Sequence, residues 1–182
     1  MQKNKVFLHI CCAGCGAYAA QVLVNEGYAV FLYFYNPNIF PAEEYEIRAS
    51  EVARIAEKYG YEFFIEEYNH LGWLEKIKNL EAEPEKGGRC VVCYQDRLEK
   101  TAQAAIFRNF DIFASTLSVS PHKLVLEINR IGNELASEFG LEFLDRDFKK
   151  QEGFKKASLL SKELGLYRQS YCGCEFSQRK VA

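Results

Sequence analysis

The 182-residue sequence has no run approaching the roughly 20 apolar residues that a membrane-spanning helix needs, so no membrane partner is expected. It also lacks a phosphate-binding loop: neither a GxGxxG nor an SGGxDS-like stretch follows the first strand-like segment, and the glycines there are embedded among cysteines. Internal repeats, low-complexity tracts and linkers are missing as well, which predicts one domain over residues 1–182. The net charge of −2 gives no global attraction for nucleic acid. A secretory leader is not expected either. Residues 1–15 carry the right charge, but His9 interrupts the apolar run almost at once, and a cytoplasmic protein follows.

What is present is a chain rich enough in apolar residues, at 48%, to bury a sizeable core. Apolar runs at Lys5–Ile10, Ala29–Tyr35, Glu62–Ile65 and Asp111–Ser115 read as buried strands, and Glu142–Leu144 as a short one. Helical patterns fall between them: Ala17–Asn25, Pro41 to about Gly60, a shorter one near Trp73–Leu80, Cys90–Phe107, and Gly153–Leu164 near the end. Ser120-Pro121 reads as an N-cap followed by proline at the first helical position, opening a helix that reaches Gly140. Strands alternating with helices predict an α/β fold, a Rossmann-like domain with a mostly parallel sheet flanked by helices. Its site should lie beyond the carboxyl ends of the strands, where Cys11/Cys12, Asn36-Pro37 and Ser115–Ser120 would gather.

Seven cysteines are an odd number for a disulfide framework, and in a reducing compartment clustered cysteines point to metal or redox chemistry. They fall in three groups: Cys11/Cys12/Cys15, Cys90/Cys93 and Cys172/Cys174. On a helix Cys90 and Cys93 share a face, and a helix N-terminus favours the thiolate, so zinc, iron–sulfur and redox readings are all open. Cys11 and Cys12 can hold one centre only where the chain leaves its strand. With Cys90 and Cys93 they make a four-cysteine set suited to zinc or to a [4Fe–4S] cluster. Cys15 could complete a CxxC, bind a second metal or pack. Asp96, one turn beyond Cys93, could supply a carboxylate to such a metal or simply be a solvated helix residue. The thiols of Cys172 and Cys174 can close only a small strained ring, which favours a redox pair, with metal ligation as the alternative. His122 and Lys123 offer an anion site or ordinary helix capping.

These residues also sit in ordered motifs. HICCAGC, YFYNPNI-x-P-x-x-EY with Arg48, RCxxCYxxRLxxTA from Arg89, TLxxSPHK from Thr116 and LGLYRQxYCGCxFS from Leu164 together resemble the QueH type of epoxyqueuosine reductase, end to end. Gly14 departs from the proline usual at that point of the family pattern. The resemblance implies reduction of epoxyqueuosine to queuosine at the wobble position of tRNA, the last step of queuosine biosynthesis. It implies a [4Fe–4S] cluster on Cys11, Cys12, Cys90 and Cys93, and a redox-active disulfide between Cys172 and Cys174.

Epoxide-to-alkene conversion takes two electrons and protons and releases water. If four cysteines saturate the cluster, an additional iron or other divalent metal, held by Cys15 or Asp96, could act as Lewis acid on the epoxide oxygen. The implied partners are tRNA carrying epoxyqueuosine and an unidentified electron donor. From Asp145 to Lys180 there are nine Lys/Arg against five Asp/Glu. Arg146, Lys149, Lys150, Lys155, Lys156, Arg168, Arg179 and Lys180 are therefore candidate phosphate contacts. Tyr33, Tyr35, Phe40 and Tyr171 are candidate stacking platforms. Tyr35, Arg48, His122, Lys123 and Arg168 are the candidate substrate contacts. Two other functions fit the cysteines less fully: a zinc-binding RNA-interaction module, and a Rossmann-like ATP-dependent tRNA-modifying enzyme.

Overall fold

In the computed structural model, which describes residues 4–178, five parallel strands form one sheet in the order β3-β2-β1-β4-β5. They are β1 (Lys5–His9), β2 (Ala29–Phe34), β3 (Glu62–Ile65), β4 (Ile112–Ser115) and β5 (Glu142–Phe143). Six α-helices alternate with them: α1 (Ala13–Asn25), α2 (Ala42–Tyr59), α3 (His70–Lys76), α4 (Gly88–Phe107), α5 (Val125–Phe139) and α6 (Gly153–Glu163). No described helix is long and apolar enough to cross a membrane.

The continuous apolar strands are explained by burial on both sheet faces. Alternation sends Val6, Leu8 and Ile10 of the central strand into one core, with Ala17, Ala20 and Leu23 of α1 and Val52, Ile55 and Ala56 of α2. Phe7, Phe31, Tyr33 and Phe113 point the other way, against Leu98, Ala102 and Ala105 of α4 and Ile128, Ile131 and Leu135 of α5. Each of the buried Val, Leu, Ile and Phe side chains contributes about 1.5–3 kcal/mol by leaving water.

The sheet order reverses direction at β1. The chain winds outward through β2 and β3, then returns over α4 to place β4 on the other side of β1. In an open parallel sheet this switch point opens a crevice beyond the carboxyl ends of the two central strands. Ile10–Cys11 and Ser115–Thr116 stand on either side of it.

Several boundaries differ from the sequence expectation. Helix α1 starts at Ala13, not Ala17, because Gly14 and Gly16 serve packing instead of a turn. A Cβ on Gly14 would meet Ser161 Oγ of α6 at 2.9 Å, and one on Gly16 would meet Ile10 Cγ2 at 2.9 Å. Helix α3 starts at His70, capped by Asn69, whose side chain accepts from Gly72 N–H at 2.9 Å. Ser120-Pro121 does not open α5. Thr116–Val119 forms a single 3-10 turn, Ser118 Oγ is spent on the Arg146 carbonyl at 2.6 Å, and α5 begins at Val125.

Helix α6 lies against α1 and enters its path with no room to spare at Gly153, where an added Cβ would stand 1.7 Å from the Phe148 carbonyl oxygen. Gly153→Ala is expected to lower stability by about 2–3 kcal/mol through forced backbone displacement. The urea unfolding midpoint, compared with that of Ala157→Gly on the same helix, checks it.

Candidate active site and metal centre

At the carboxyl end of β1 the chain bends at Cys11 and passes through Cys12 in extended conformation. Cys12 then acts as the N-cap residue of α1, with no side-chain cap of its own. The helix start turns Cys15 back towards both, and the three Sγ atoms lie within 4.8 Å of one another. Thr116, at the end of β4, accepts from Cys11 N–H at 3.0 Å and donates its hydroxyl proton to Cys11 Sγ at 3.3 Å. Hydrogen bonds from Cys12 and Cys15 hold the Cys11 thiol well below its ordinary pKa against the opposing effect of burial, and Lys123 and Thr116 add to this. The hydrogen bond to Cys11 pushes Cys12 up to about 12, and Cys15 is raised for the same reason. The hydrogen bonds among the three sulfurs thus favour ionisation at Cys11 over Cys12 and Cys15.

His9 anchors this corner from beneath. It is fully buried, and its Nε2–H donates to the Tyr35 carbonyl at 2.9 Å, leaving Nδ1 to accept from Ser115 Oγ at 2.9 Å. Burial, aided by the nearby Arg97 cation, holds its pKa down to about 4.

Cys90 and Cys93 lie in the first turns of α4, as the CxxC spacing requires. Burial raises both thiols, Cys93 to about 11. Two cavities connect the three cysteine groups. The larger, of about 270 Å³, is bordered by Cys11, Cys12, Cys15 and Cys172. The smaller is bordered by Cys90, Cys93, Cys172 and Cys174. Glu85, His122, Lys123 and Cys172 belong to both walls. All seven cysteines are free thiols in this structure.

Two cations sit among the sulfurs. Lys123 Nζ donates to Cys172 Sγ at 3.0 Å. Burial lowers the Lys123 pKa, but Cys172 and Cys11 outweigh that effect and leave it raised. Arg97, 2% exposed, donates to the Cys93 carbonyl at 3.1 Å and to Asn36 Oδ1 at 3.3 Å. Asn36 in turn donates to the Ile10 carbonyl at 2.8 Å, tying α4 to the end of β1. Burial opposes ionisation of Cys172, yet Lys123 and Arg97 bring its pKa below the ordinary value. Sequence reasoning placed no role on Arg97. Its signal was present as the arginine four residues after Cys93, on the same helix face.

The remaining candidates divide. Lys123, His122 and Arg48 border the larger cavity. His122 lies in a turn held by Ser120 Oγ, so the helix N-terminal anion site expected there does not exist. Arg48 is buried, with its donors bound to Glu44 and to the Tyr171 and Cys172 carbonyls. Asp96 is neither solvated nor beside Cys15. It is buried, ion-paired with Lys76 and approached by Tyr35 Oη at 3.5 Å, and it borders neither cysteine cavity.

Among the stacking candidates Tyr33 is fully buried between Phe7 and Phe64, because its strand lies inside the sheet, and so it cannot receive a base. Phe40 is 41% exposed, and Tyr35 and Tyr171 are half-buried. Arg146, Lys149 and Lys155 are engaged by Glu26, Asp147 and Glu152. Lys150, Lys156 and Arg168 are exposed, whereas Arg179 and Lys180 lie outside the described residues.

A parallel α/β sheet whose switch-point crevice is walled by seven cysteines and the cations Arg97 and Lys123 defines a thiol-based redox or metal protein. A family model described as "QueH: Epoxyqueuosine reductase QueH" matches residues 6–180. The chain is 37% identical over 177 residues to epoxyqueuosine reductase QueH of Haemophilus influenzae, covering 97% of this chain and 72% of that one. It is 36% identical over 175 residues to the Thermotoga maritima protein of the same name, covering 94% and 89%. The chain belongs to the epoxyqueuosine reductase QueH family and is an oxidoreductase of that kind. In fold it resembles the U34-tRNA thiolase NcsA from Methanococcus maripaludis with its [4Fe–4S] cluster. The TM-score is 0.57 at 17% identity, over 98% of this chain and 63% of that one. It also resembles a predicted subunit of a tRNA methyltransferase from Methanocaldococcus jannaschii, with a TM-score of 0.58 at 15% identity, over 87% and 75%.

The Lys123–Cys172 contact predicts a reactive thiol at Cys172 in the anaerobic, reduced protein. Because the Cys172 pKa is lowered, its thiolate fraction at pH 7 exceeds that of an ordinary cysteine. Lys123→Met removes the cation and raises that pKa, and alkylation of Cys172 by iodoacetamide should slow by about five-fold or more. Peptide mass spectrometry of timed quenches reads the rate.

Proposed function

We propose that this chain reduces epoxyqueuosine to queuosine at the wobble position of tRNA with a [4Fe–4S] cluster held by Cys11, Cys12, Cys90 and Cys93. Cys172 and Cys174 serve as a two-electron dithiol. The observation that carries this reading is that three cysteine groups, far apart in sequence, front two adjoining cavities with Lys123 and Cys172 in the shared wall.

The donor set suits such a cluster. Four thiols from two rigid elements, the β1–α1 corner and the start of α4, flank the cavities, and thiolate is the ligand an iron–sulfur cube requires. A cube spreads its ligands more widely than a single ion does. The close Cys11/Cys12/Cys15 triad alone would favour one ion, and the pair on α4 supplies the spread. When bound, a cluster of this type supplies electrons one at a time.

Cys15 is the remaining thiol at this corner and the better placed ligand for an additional iron or other divalent metal. Asp96 is committed to Lys76. Arg97 and Lys123 offset the negative charge of assembled thiolates, which would otherwise be costly to bury. Lys123 Nζ also brings a protonated group to the cavity wall, where loss of the epoxide oxygen as water needs protons. Exposed Arg168, Lys150 and Lys156 and the partly exposed rings of Phe40 and Tyr171 are the surface groups suited to phosphate and base.

Anaerobic purification followed by an absorption spectrum and iron, sulfide and zinc analysis tests this. A brown protein absorbing near ~400 nm with about four irons and four sulfides per chain is expected, and Cys93→Ser should lose most of both. Iron beyond four would place a second site. A colourless protein with stoichiometric zinc and no sulfide would remove the electron path and leave a zinc-binding RNA module. A requirement for ATP in turnover of epoxyqueuosine-containing tRNA would favour the nucleotide-dependent enzyme instead.

A further inference from the structure

The segment that carries Cys172 and Cys174 is fastened at the rim of the larger thiol cavity by Arg48, whose hydrogen bonds all run to protein groups. Arg48, on the buried face of α2, makes three directed bonds: Nε to Glu44 Oε1 at 2.7 Å, Nη1 to the Cys172 carbonyl at 3.0 Å and Nη2 to the Tyr171 carbonyl at 3.3 Å. Its guanidinium also lies 5.4 Å from the centre of the Tyr171 ring. Glu44 is held in turn by Tyr167 Oη, which donates to Oε2 at 2.7 Å. On the other side of Gly173 the Phe40 N–H donates to the Gly173 carbonyl at 2.9 Å.

The peptide groups on both sides of Gly173 are therefore fixed. Gly173 itself stands at φ 139, where a Cβ would come within 3.1 Å of Asn38 Nδ2 and 3.3 Å of Arg48 Nη1. Only glycine fits this close, left-handed passage. Within it the two thiols have different neighbours. Cys172 Sγ meets Lys123 Nζ at 3.0 Å, and Cys174 packs with Trp73, Ile77 and Cys93.

We propose that Arg48 is a positioning residue that, backed by Glu44, fixes the Cys172 carbonyl and so holds Cys172 and Cys174 in their dithiol arrangement. The inference rests on the reading of these two cysteines as a redox pair. Closing a disulfide across one residue requires the backbone between them to turn, because the bond tolerates only a narrow range of Cβ separation and dihedral angle. A planar guanidinium bound to two successive carbonyls resists that turn, whereas a lysine ammonium in its place would hold one point and no plane. Arg48 thus favours the reduced pair, the form able to give up two electrons.

The test is a redox titration of the anaerobic holoprotein against mixtures of reduced and oxidised glutathione. Oxidation joins the two sulfurs, releases two protons, and converts one glutathione disulfide to two glutathione thiols. Acid quenching, alkylation and peptide mass spectrometry give the disulfide-to-dithiol ratio. In Arg48→Met that ratio, at a fixed glutathione mixture, is expected to rise at least ten-fold, a shift of about 30 mV for two electrons. Arg48→Lys should fall between Arg48→Met and the wild type. Because Arg48→Met leaves Glu44 buried without its partner, the double variant Glu44→Gln/Arg48→Met is measured alongside and should show the same rise. Ratios within two-fold of wild type in the folded variants would overturn the positioning role, whatever happens to iron content or thermal stability. Failure of the wild-type pair to form a disulfide at any mixture would overturn both this role and the dithiol reading. Reduction of epoxyqueuosine-containing tRNA by the wild type, measured separately, bears on the enzyme's activity alone.

Discussion

Two cations, the buried Arg97 and the half-buried Lys123, set the charge balance of the cysteine-lined crevice. Thiols taken out of water resist ionisation, as the raised pKa values of Cys90 and Cys93 show. Lys123 and Arg97 reverse that tendency at Cys172, and Lys123 also assists Cys11. Arg97 cannot lose its proton, so the charge it supplies is permanent. Its placement fixes much else. Through Asn36 it links α4 to the carboxyl end of β1, and through the Cys93 carbonyl it sets the turn that carries the α4 thiols.

The sheet supplies the second constraint. Placing β4 beside β1 brings Thr116 within reach of Cys11, and the crevice at the switch point receives the Cys-rich corner without any special device. The third element is the strap from Tyr167 to Gln178, which crosses this crevice and is fastened at several places. Arg48 and Phe40 hold its first half, while His70 meets Glu175 at 3.2 Å and Phe176 lies between Trp73 and Arg89. These fastenings come from α2, α3, α4 and the loop before α2, so Cys172 and Cys174 are located by several elements at the carboxyl end of the sheet.

Much of the scaffold could be read directly. The strands at Ala29–Phe34 and Glu62–Ile65 and the helix ends at Gly60 and Gly140 match their local patterns, because burial on two faces and helical periodicity leave a signal in neighbouring residues. Failures came where local chemistry was used by distant partners. Gly14 and Gly16 resembled a turn but serve the packing of α1 on α6 and β1. Ser120-Pro121 resembled a helix start, but the preceding hydroxyls are spent on other segments. Asp96 was legible as a carboxylate near the cysteines, yet Lys76 from α3 claims it.

The sequence by itself determined the alternation of strands and helices, the grouping of the cysteines and the family. Each is written in spacings of a few residues or in motifs that keep their order along the chain. Only the tertiary structure decided which of those groups meet. It joined Cys15 to Cys11 and Cys12, set Lys123 against Cys172, placed Arg97 among the sulfurs and bound the buried Arg48 to the Tyr171 and Cys172 carbonyls. The physical reason is that periodicity is a property of neighbours, whereas hydrogen bonds and screened charges depend on distances of a few ångströms between segments far apart in sequence, as between Cys11 and Thr116.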